Sequence, residues 1–140
     1  MVIYAESSAV VAWLLNEPRG PSVLRAMHAA ERVVSASLTS LECARALARA
    51  RTDGRVTHTQ ELAALQLFDE AESSWIIQEL DARVLARARE PMPGDPVRPL
   101  DALHIAAACV LRDGLGPITM LSLDDRVRLC ASGLGFTVVP

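Results

Sequence analysis

The chain has 140 residues with 51 % hydrophobic and 22 % charged, which suits a soluble, packed fold and excludes a disordered chain or a small disulfide-stapled scaffold. Its length is the usual size of one domain, read here as residues 1–140. Net charge is −3, and all 14 basic side chains are arginine, a balance unlike that of proteins that coat nucleic acid non-specifically.

Val2 to Ala5 is a short apolar run of β-formers, ended by Glu6-Ser7-Ser8 before a helical pattern from Ala9 to Leu15, with Ser7 or Ser8 as its cap. A second helix is predicted from Pro21 to Glu31 and a second strand over Val33–Ala36. Thr39 or Ser40 opens the next helix, with Leu41, Ala44, Leu47 and Ala48 on the buried face and Glu42, Arg45 and Arg49 opposite, stopped by Asp53-Gly54. From Thr57 to Glu72 the pattern is helical again, burying Leu62, Leu65, Phe68 and Ala71, and Trp75–Ile77 reads as a third strand. A short helix over Asp81–Arg89 precedes the segment from Glu90 to Arg98, whose three prolines and one glycine make it a loop. Helix from Leu100 to Arg112, strand from Ile118 to Ser122, helix from Asp124 to Ser132 and strand from Phe136 to Val139 complete the chain. The longest apolar run, Ile105 to Leu111, is too short to span a bilayer, so no membrane association is expected. Cys43, Cys109 and Cys130 are an odd, widely spaced set without a C-x-x-C pair, which points to a reducing, cytoplasmic setting.

Strands alternating with helices, without hairpin signals, specify an α/β domain with a mostly parallel sheet and helices on both faces. Ligand sites in such sheets lie beyond the carboxyl ends of the strands. Glu6 ends the first strand, Glu42 stands in the first turn of the helix after the second, and Asp124 follows the fourth. The loop before Asp101, extended, spans about 30 Å, enough to return along a helix of about 20 Å and bring Asp101 to the same edge. Four carboxylates in one cleft repel each other unless a cation joins them. Hard oxygen donors suit Mg²⁺ or Mn²⁺, and metal-assisted phosphodiester hydrolysis is the matching reaction class. Each acid also has a plainer reading. Asp101 and Asp124 are favoured helix-start residues, and Glu42 with Arg45 forms an ordinary helix-surface pair. An acid such as Glu6 between apolar elements needs a partner. His104, three residues after Asp101, reads as a surface or interface histidine, and His28 and His58 have no company; Trp13 and Trp75 sit in apolar patterns. No triad or P-loop motif occurs.

Four segments together resemble the PIN domain, and within it the VapC-type toxins of bacterial toxin–antitoxin pairs: Tyr4-Ala5-Glu6-Ser7-Ser8-Ala9, Leu38-Thr39-Ser40-Leu41-Glu42, Arg98-Pro99-Leu100-Asp101-Ala102-Leu103-His104, and Leu121-Ser122-Leu123-Asp124-Asp125-Arg126. The resemblance covers nearly the whole chain. It implies a PIN-like three-layer fold, a five-stranded parallel sheet between helices, and a Mg²⁺- or Mn²⁺-dependent endoribonuclease that leaves a 5′-phosphate and a 3′-hydroxyl. It further implies inhibition by a cognate VapB-type antitoxin and, commonly, a homodimer. Carried onto this chain, it places Glu6, Asp101 and Asp124 on the metal, with Glu42 orienting water or completing the cage. Apart from the resemblance, Ser8 and Ser122 are candidates to support the carboxylates by hydrogen bonds, Asp125 either assists or simply occupies the first helical turn, and Arg98 or Arg126 is a candidate for RNA phosphate. The family ordinarily has aspartate where this chain has Glu6, a displacement of about 1.5 Å; the alternative reading is therefore a catalytically weakened PIN-domain binding module. A phosphorylation receiver domain shares the general architecture but uses a lysine near its last strand, and this chain has none.

Overall fold

A computed structural model describes residues 1–140. Five strands form one all-parallel sheet: β1 (Val2–Ala5), β2 (Arg32–Ala36), β3 (Ile76–Gln78), β4 (Ile118–Leu121) and β5 (Thr137–Val139). Their order is β3-β2-β1-β4-β5, so the chain steps outward from β1 and then crosses back to its other side. The β1/β4 boundary is thus the topological switch point, where the loops leaving neighbouring strands diverge and open a cleft. Register fixes the two edges of that cleft, with Ala5 opposite Leu121 and Tyr4 opposite Val34.

Seven helices cover the sheet: α1 (Ser7–Leu14), α2 (Gly20–Ala29), α3 (Ser37–Thr52), α4 (His58–Glu72), α5 (Ala82–Ala88), α6 (Pro99–Leu115) and α7 (Asp125–Gly133). The strand alternation of period two divides β1 between two cores. Ile3 and Ala5 pack with Val10, Leu14, Met27, Leu47 and Phe68 under α1–α4. Tyr4 faces the other way, into Ile105, Ala106, Met120, Val127 and Phe136 beneath α6 and α7. Both faces of β1 are therefore dry, which is why its sequence is apolar throughout rather than alternating.

The starts of α1 and α3 and the buried face of α4 differ from the sequence expectation. Neither Ser7 nor Ser8 caps α1: Glu6 occupies the N-cap position without a side-chain cap bond, and both serine hydroxyls turn to its carboxylate. Helix α3 begins at Ser37, directly after β2, so Glu42 lies in its second turn. Its buried stripe runs through Cys43, Leu47 and Ala50, while Leu41 is exposed. In α4 the buried positions are Glu61, Ala64 and Phe68, and Leu62 is exposed; the Arg51 guanidinium, 2.8 Å from Glu61, pairs with that buried acid, and His58 Nδ1 lies 3.3 Å from it. His58 therefore does have a partner. At the start of α4 the Thr57 hydroxyl accepts from the Gln60 amide while the Gln60 side chain accepts from the Thr57 amide, a reciprocal cap. Trp75 precedes β3 and stacks edge-on to Phe68 instead of entering the strand.

Close approach of α1 and α2 depends on Gly20. A Cβ there would lie 2.7 Å from the Ala12 carbonyl oxygen, inside van der Waals contact. No helix is long and apolar enough to cross a membrane.

Candidate active site

At the carboxyl edge of the sheet, a cleft of about 470 Å³ is lined by Glu6, Glu42, Asp101 and Asp124, with Ser8 and Arg98 among its other walls. Four different elements deliver the four acids. Glu6 follows β1 and continues its ladder, its amide donating to Leu121 carbonyl at 3.0 Å. Glu42 comes from α3, whose start is tied to the sheet by Ser35, the hydroxyl of which bonds the Ala5 carbonyl at 2.7 Å and Thr39 at 2.8 Å. Asp101 stands in the first turn of α6, as the length of the preceding loop allows. Asp124 is the N-cap of α7 and accepts from the amides of Arg126 at 2.8 Å and Val127 at 3.3 Å. Capping and cleft-lining are thus combined in one side chain: Oδ1 holds the helix and Oδ2 faces Arg98.

Glu6 is only 3 % exposed. Its Oε1 accepts from Ser7 at 2.8 Å, and its Oε2 accepts from Ser122 at 2.8 Å and also from Ser8. Bonds from hydroxyls to an ionised acceptor are stronger than neutral ones and offset its desolvation. Ser8 and Ser122 have further work. The Leu123 amide donates to Ser8 Oγ at 2.9 Å and the Asp124 amide to Ser122 Oγ at 3.2 Å, so the turn leading to Asp124 is pinned to the residues that hold Glu6.

Positive charge in the cleft comes from Arg98, which donates to Asp101 Oδ2 at 2.6 Å and to Asp124 Oδ2 at 3.0 Å. Asp101, and after it Asp124, raises the pKa of that guanidinium. Burial pushes Asp124 up, but the Val127 and Arg126 amides and the Arg98 charge outweigh it and hold its carboxyl below the usual range. No three carboxylates or imidazoles converge on one point in this arrangement. The donor set is nonetheless all carboxylate oxygen on the walls of a single cleft, bridged in part by a cation, and this chemistry fits a hard divalent ion. Asp125 and Arg126 are exposed on the first turn of α7, outside the cleft lining.

His104, expected from the sequence to be a surface or interface histidine, is buried instead. It lies one turn along α6 from Asp101 and is 1 % exposed. Its Nε2 is 2.5 Å from Glu42 Oε1, 3.3 Å from Ser7 Oγ and 4.0 Å from Glu6 Oε1, and its Nδ1 is 2.8 Å from the Tyr4 hydroxyl. Tyr4, fully buried, keeps its proton: burial, then the Glu6 and Glu42 charges, raise its pKa well above the ordinary value. The available signal was the position of a polar ring within the apolar stretch from Leu103 to Leu111. A larger cleft of about 580 Å³ opens at the opposite edge, around Arg112, Gly116 and Gly135, and carries no carboxylate side chain.

The PIN domain family model matches residues 3–128, and the match takes in all four cleft acids. The chain belongs to the PIN domain family. It is also similar to Ribonuclease VapC46 of Mycobacterium tuberculosis, with 33 % identity over 137 residues, covering 98 % of this chain and 95 % of that protein. In this PIN domain the five-stranded parallel sheet between helices is the architecture the four motifs implied.

Proposed function

We propose that this PIN-domain protein is a VapC-type toxin: an endoribonuclease that hydrolyses RNA phosphodiesters with a divalent cation, Mg²⁺ or in its place Mn²⁺. The observation that carries the reading is the convergence of Glu6, Glu42, Asp101 and Asp124 on one cleft, in a chain that resembles a named ribonuclease along almost its whole length. Residues 1–140 act as a single domain.

Glu6, Asp101 and Asp124 are the residues that would hold the ion, with Glu42 orienting the attacking water or completing the cage. A bound cation of this kind lowers the pKa of water and neutralises charge on the phosphate oxygens. The chain's own groups do the rest. Ser8 and Ser122 hold the Glu6 carboxylate against β4, and Asp125 adds negative charge beside Asp124. Arg98, exposed and already engaged with two acids, exchanges those partners for the planar pair of phosphate oxygens that guanidinium recognises. Arg126, exposed on the first turn of α7 outside the cleft lining, is the alternative phosphate contact. Water attacks phosphorus in line and the 3′-oxygen leaves, giving a 5′-phosphate and a 3′-hydroxyl.

A carboxylate-lined cleft also attracts an arginine or lysine from a protein partner, the physical basis for inhibition by a cognate VapB-type antitoxin. The protein works in the cytoplasm as a homodimer. The longer Glu6 side chain is accommodated by three seryl hydroxyls, which favours an active enzyme over a weakened binding module.

Cleavage of total RNA by purified, antitoxin-free protein is the test, with Mg²⁺, Mn²⁺ or EDTA, alongside Asp101→Asn of verified fold. Cleavage that needs the metal and falls at least about 100-fold in the variant is expected, on the scale of about 2.7 kcal/mol in transition-state free energy. An inert, metal-saturated wild type that gains activity on Glu6→Asp overturns it in favour of the binding module.

A further inference from the structure

His104 is buried among groups of defined hydrogen-bonding capacity, and this fixes the direction of each contact. The Glu42 carboxylate only accepts, so the proton of a neutral ring sits on Nε2, which donates to Glu42 Oε1 at 2.5 Å. Nδ1 is then an acceptor, and the Tyr4 hydroxyl donates to it at 2.8 Å. Ser7 uses its hydrogen on Glu6 Oε1 at 2.8 Å, and its oxygen, 3.3 Å from Nε2, takes only the longer arm of the N–H already given to Glu42. The result is one directed chain from Tyr4 through His104 to Glu42, with a branch through Ser7 to Glu6. No buried side-chain polar atom lacks a partner.

We propose that His104 is a positioning residue of the nuclease site, a ring anchored by Tyr4 that sets the spacing of Glu42 and Glu6 across the cleft. The inference rests on the nuclease reading above and adds a residue that no cleft-lining argument identifies. Glu42 is the acid that most needs such a hold. It is the furthest into its helix, in the second turn of α3, and it is the only one of the four with neither a seryl, an arginyl nor an amide partner among the hydrogen bonds of the site. Without His104, its flexible side chain is free to turn into solvent. Partners of this kind, one step behind the residues that meet a metal, commonly carry 10- to 100-fold effects on affinity or activity.

The experiment combines Mn²⁺ binding to the RNA-free protein, followed by the electron paramagnetic resonance of the free ion, with steady-state cleavage of RNA. His104→Leu fills the space and removes both ring nitrogens. Weaker Mn²⁺ binding by about 10- to 100-fold is expected, together with a similar fall in kcat and an unchanged KM for RNA. His104→Gln, which keeps an N–H near the Nε2 position, recovers most of both. Tyr4→Phe, which leaves every acid and the ring in place, gives a several-fold loss of the same sign and stands in if His104→Leu fails to fold. Folded His104→Leu, or in its stead Tyr4→Phe, with wild-type Mn²⁺ affinity and kcat overturns the proposal, as does a His104→Gln variant no better than His104→Leu. Wild-type protein that binds Mn²⁺ but cleaves no RNA overturns the nuclease reading alone, because the binding arm still reads the positioning effect. Wild-type protein that binds no Mn²⁺ overturns both.

Discussion

The Glu6 carboxylate accepts hydroxyls from Ser7, Ser8 and Ser122 while almost closed to solvent, and each bond stands between a charge and an apolar strand end. Removing one donor leaves the buried carboxylate one hydrogen bond short. Ser122→Ala is expected to lower unfolding stability by about 1.5–3 kcal/mol, the range for bonds to charged groups, measured by urea denaturation. A loss below about 0.5 kcal/mol would mean that water takes the place of the hydroxyl. At this scale the four acids were legible from topology: Glu6 and Asp124 directly follow strands, Asp101 opens a helix reached by a long loop, and Glu42 lies near the start of the helix after β2, although in its second turn and not the first. His104 was not, because a histidine inside an apolar helix looks the same in sequence whether it is merely satisfied or holds something in place. Only the arrival of Tyr4, Ser7 and Glu42 from three other elements tells the difference.

Among the elements, α1 and α2 meet at backbone distance because Gly20 has no side chain. Gly20→Ala must push the Ala12 carbonyl aside or shift α2, and overpacking of this kind costs about 1–3 kcal/mol; thermal or urea unfolding reads it directly. A variant as stable as the wild type would show that the α1–α2 turn yields freely. Element type and order were legible throughout, since strand and helix periods differ and the prolines between Pro91 and Pro96 mark the long loop. Starts and faces were less so. The expectation that α3 opens at Thr39 or Ser40 followed from hydroxyl capping, yet the helix grows straight out of β2 with no side-chain cap. Shifting that start rotates the stripe from Leu41 to Cys43. In α4 a similar rotation exposes Leu62 and buries Glu61, a residue no hydrophobic pattern selects, because its arginine partner Arg51 arrives from α3.

For the whole molecule, pH acts from both ends. The bond from the Val84 amide, and after it the Arg83 side chain, hold Asp81 below the ordinary carboxylate range against the desolvation that pushes it up. Its contribution is complete above about pH 4 and is lost as pH falls through the folded-state value, since the unfolded chain takes up the proton first. Burial pushes the thiols of Cys109 and Cys130 up. Between about pH 8.5, the ordinary thiol value, and their higher folded-state values, the unfolded chain loses protons that the folded one keeps, so stability falls as pH rises. Urea midpoints measured across pH should form a plateau with a loss on each side, and a Cys109→Ala, Cys130→Ala double variant should soften the alkaline side. All three thiols are buried and unpaired, in keeping with their wide spacing in the sequence. The doubly covered parallel sheet was legible from strand–helix alternation, whereas its strand order depends on which side of β1 receives β4, a choice made by packing.

That choice carries a kinetic consequence. Val2 to Ala5 pair with Ile118 to Leu121, so the strand that begins the sheet cannot complete its ladder until the chain has closed a loop of more than a hundred residues, the slow kind of contact in folding. The hydroxyl of Ser122 and the carboxylate of Glu6 meet only across that same seam. Formation of the acid-lined edge and closure of the sheet are therefore one event. During refolding, nuclease activity should return with the time constant of the slowest structural phase, and partly folded chains that have α1–α4 docked should be silent toward RNA.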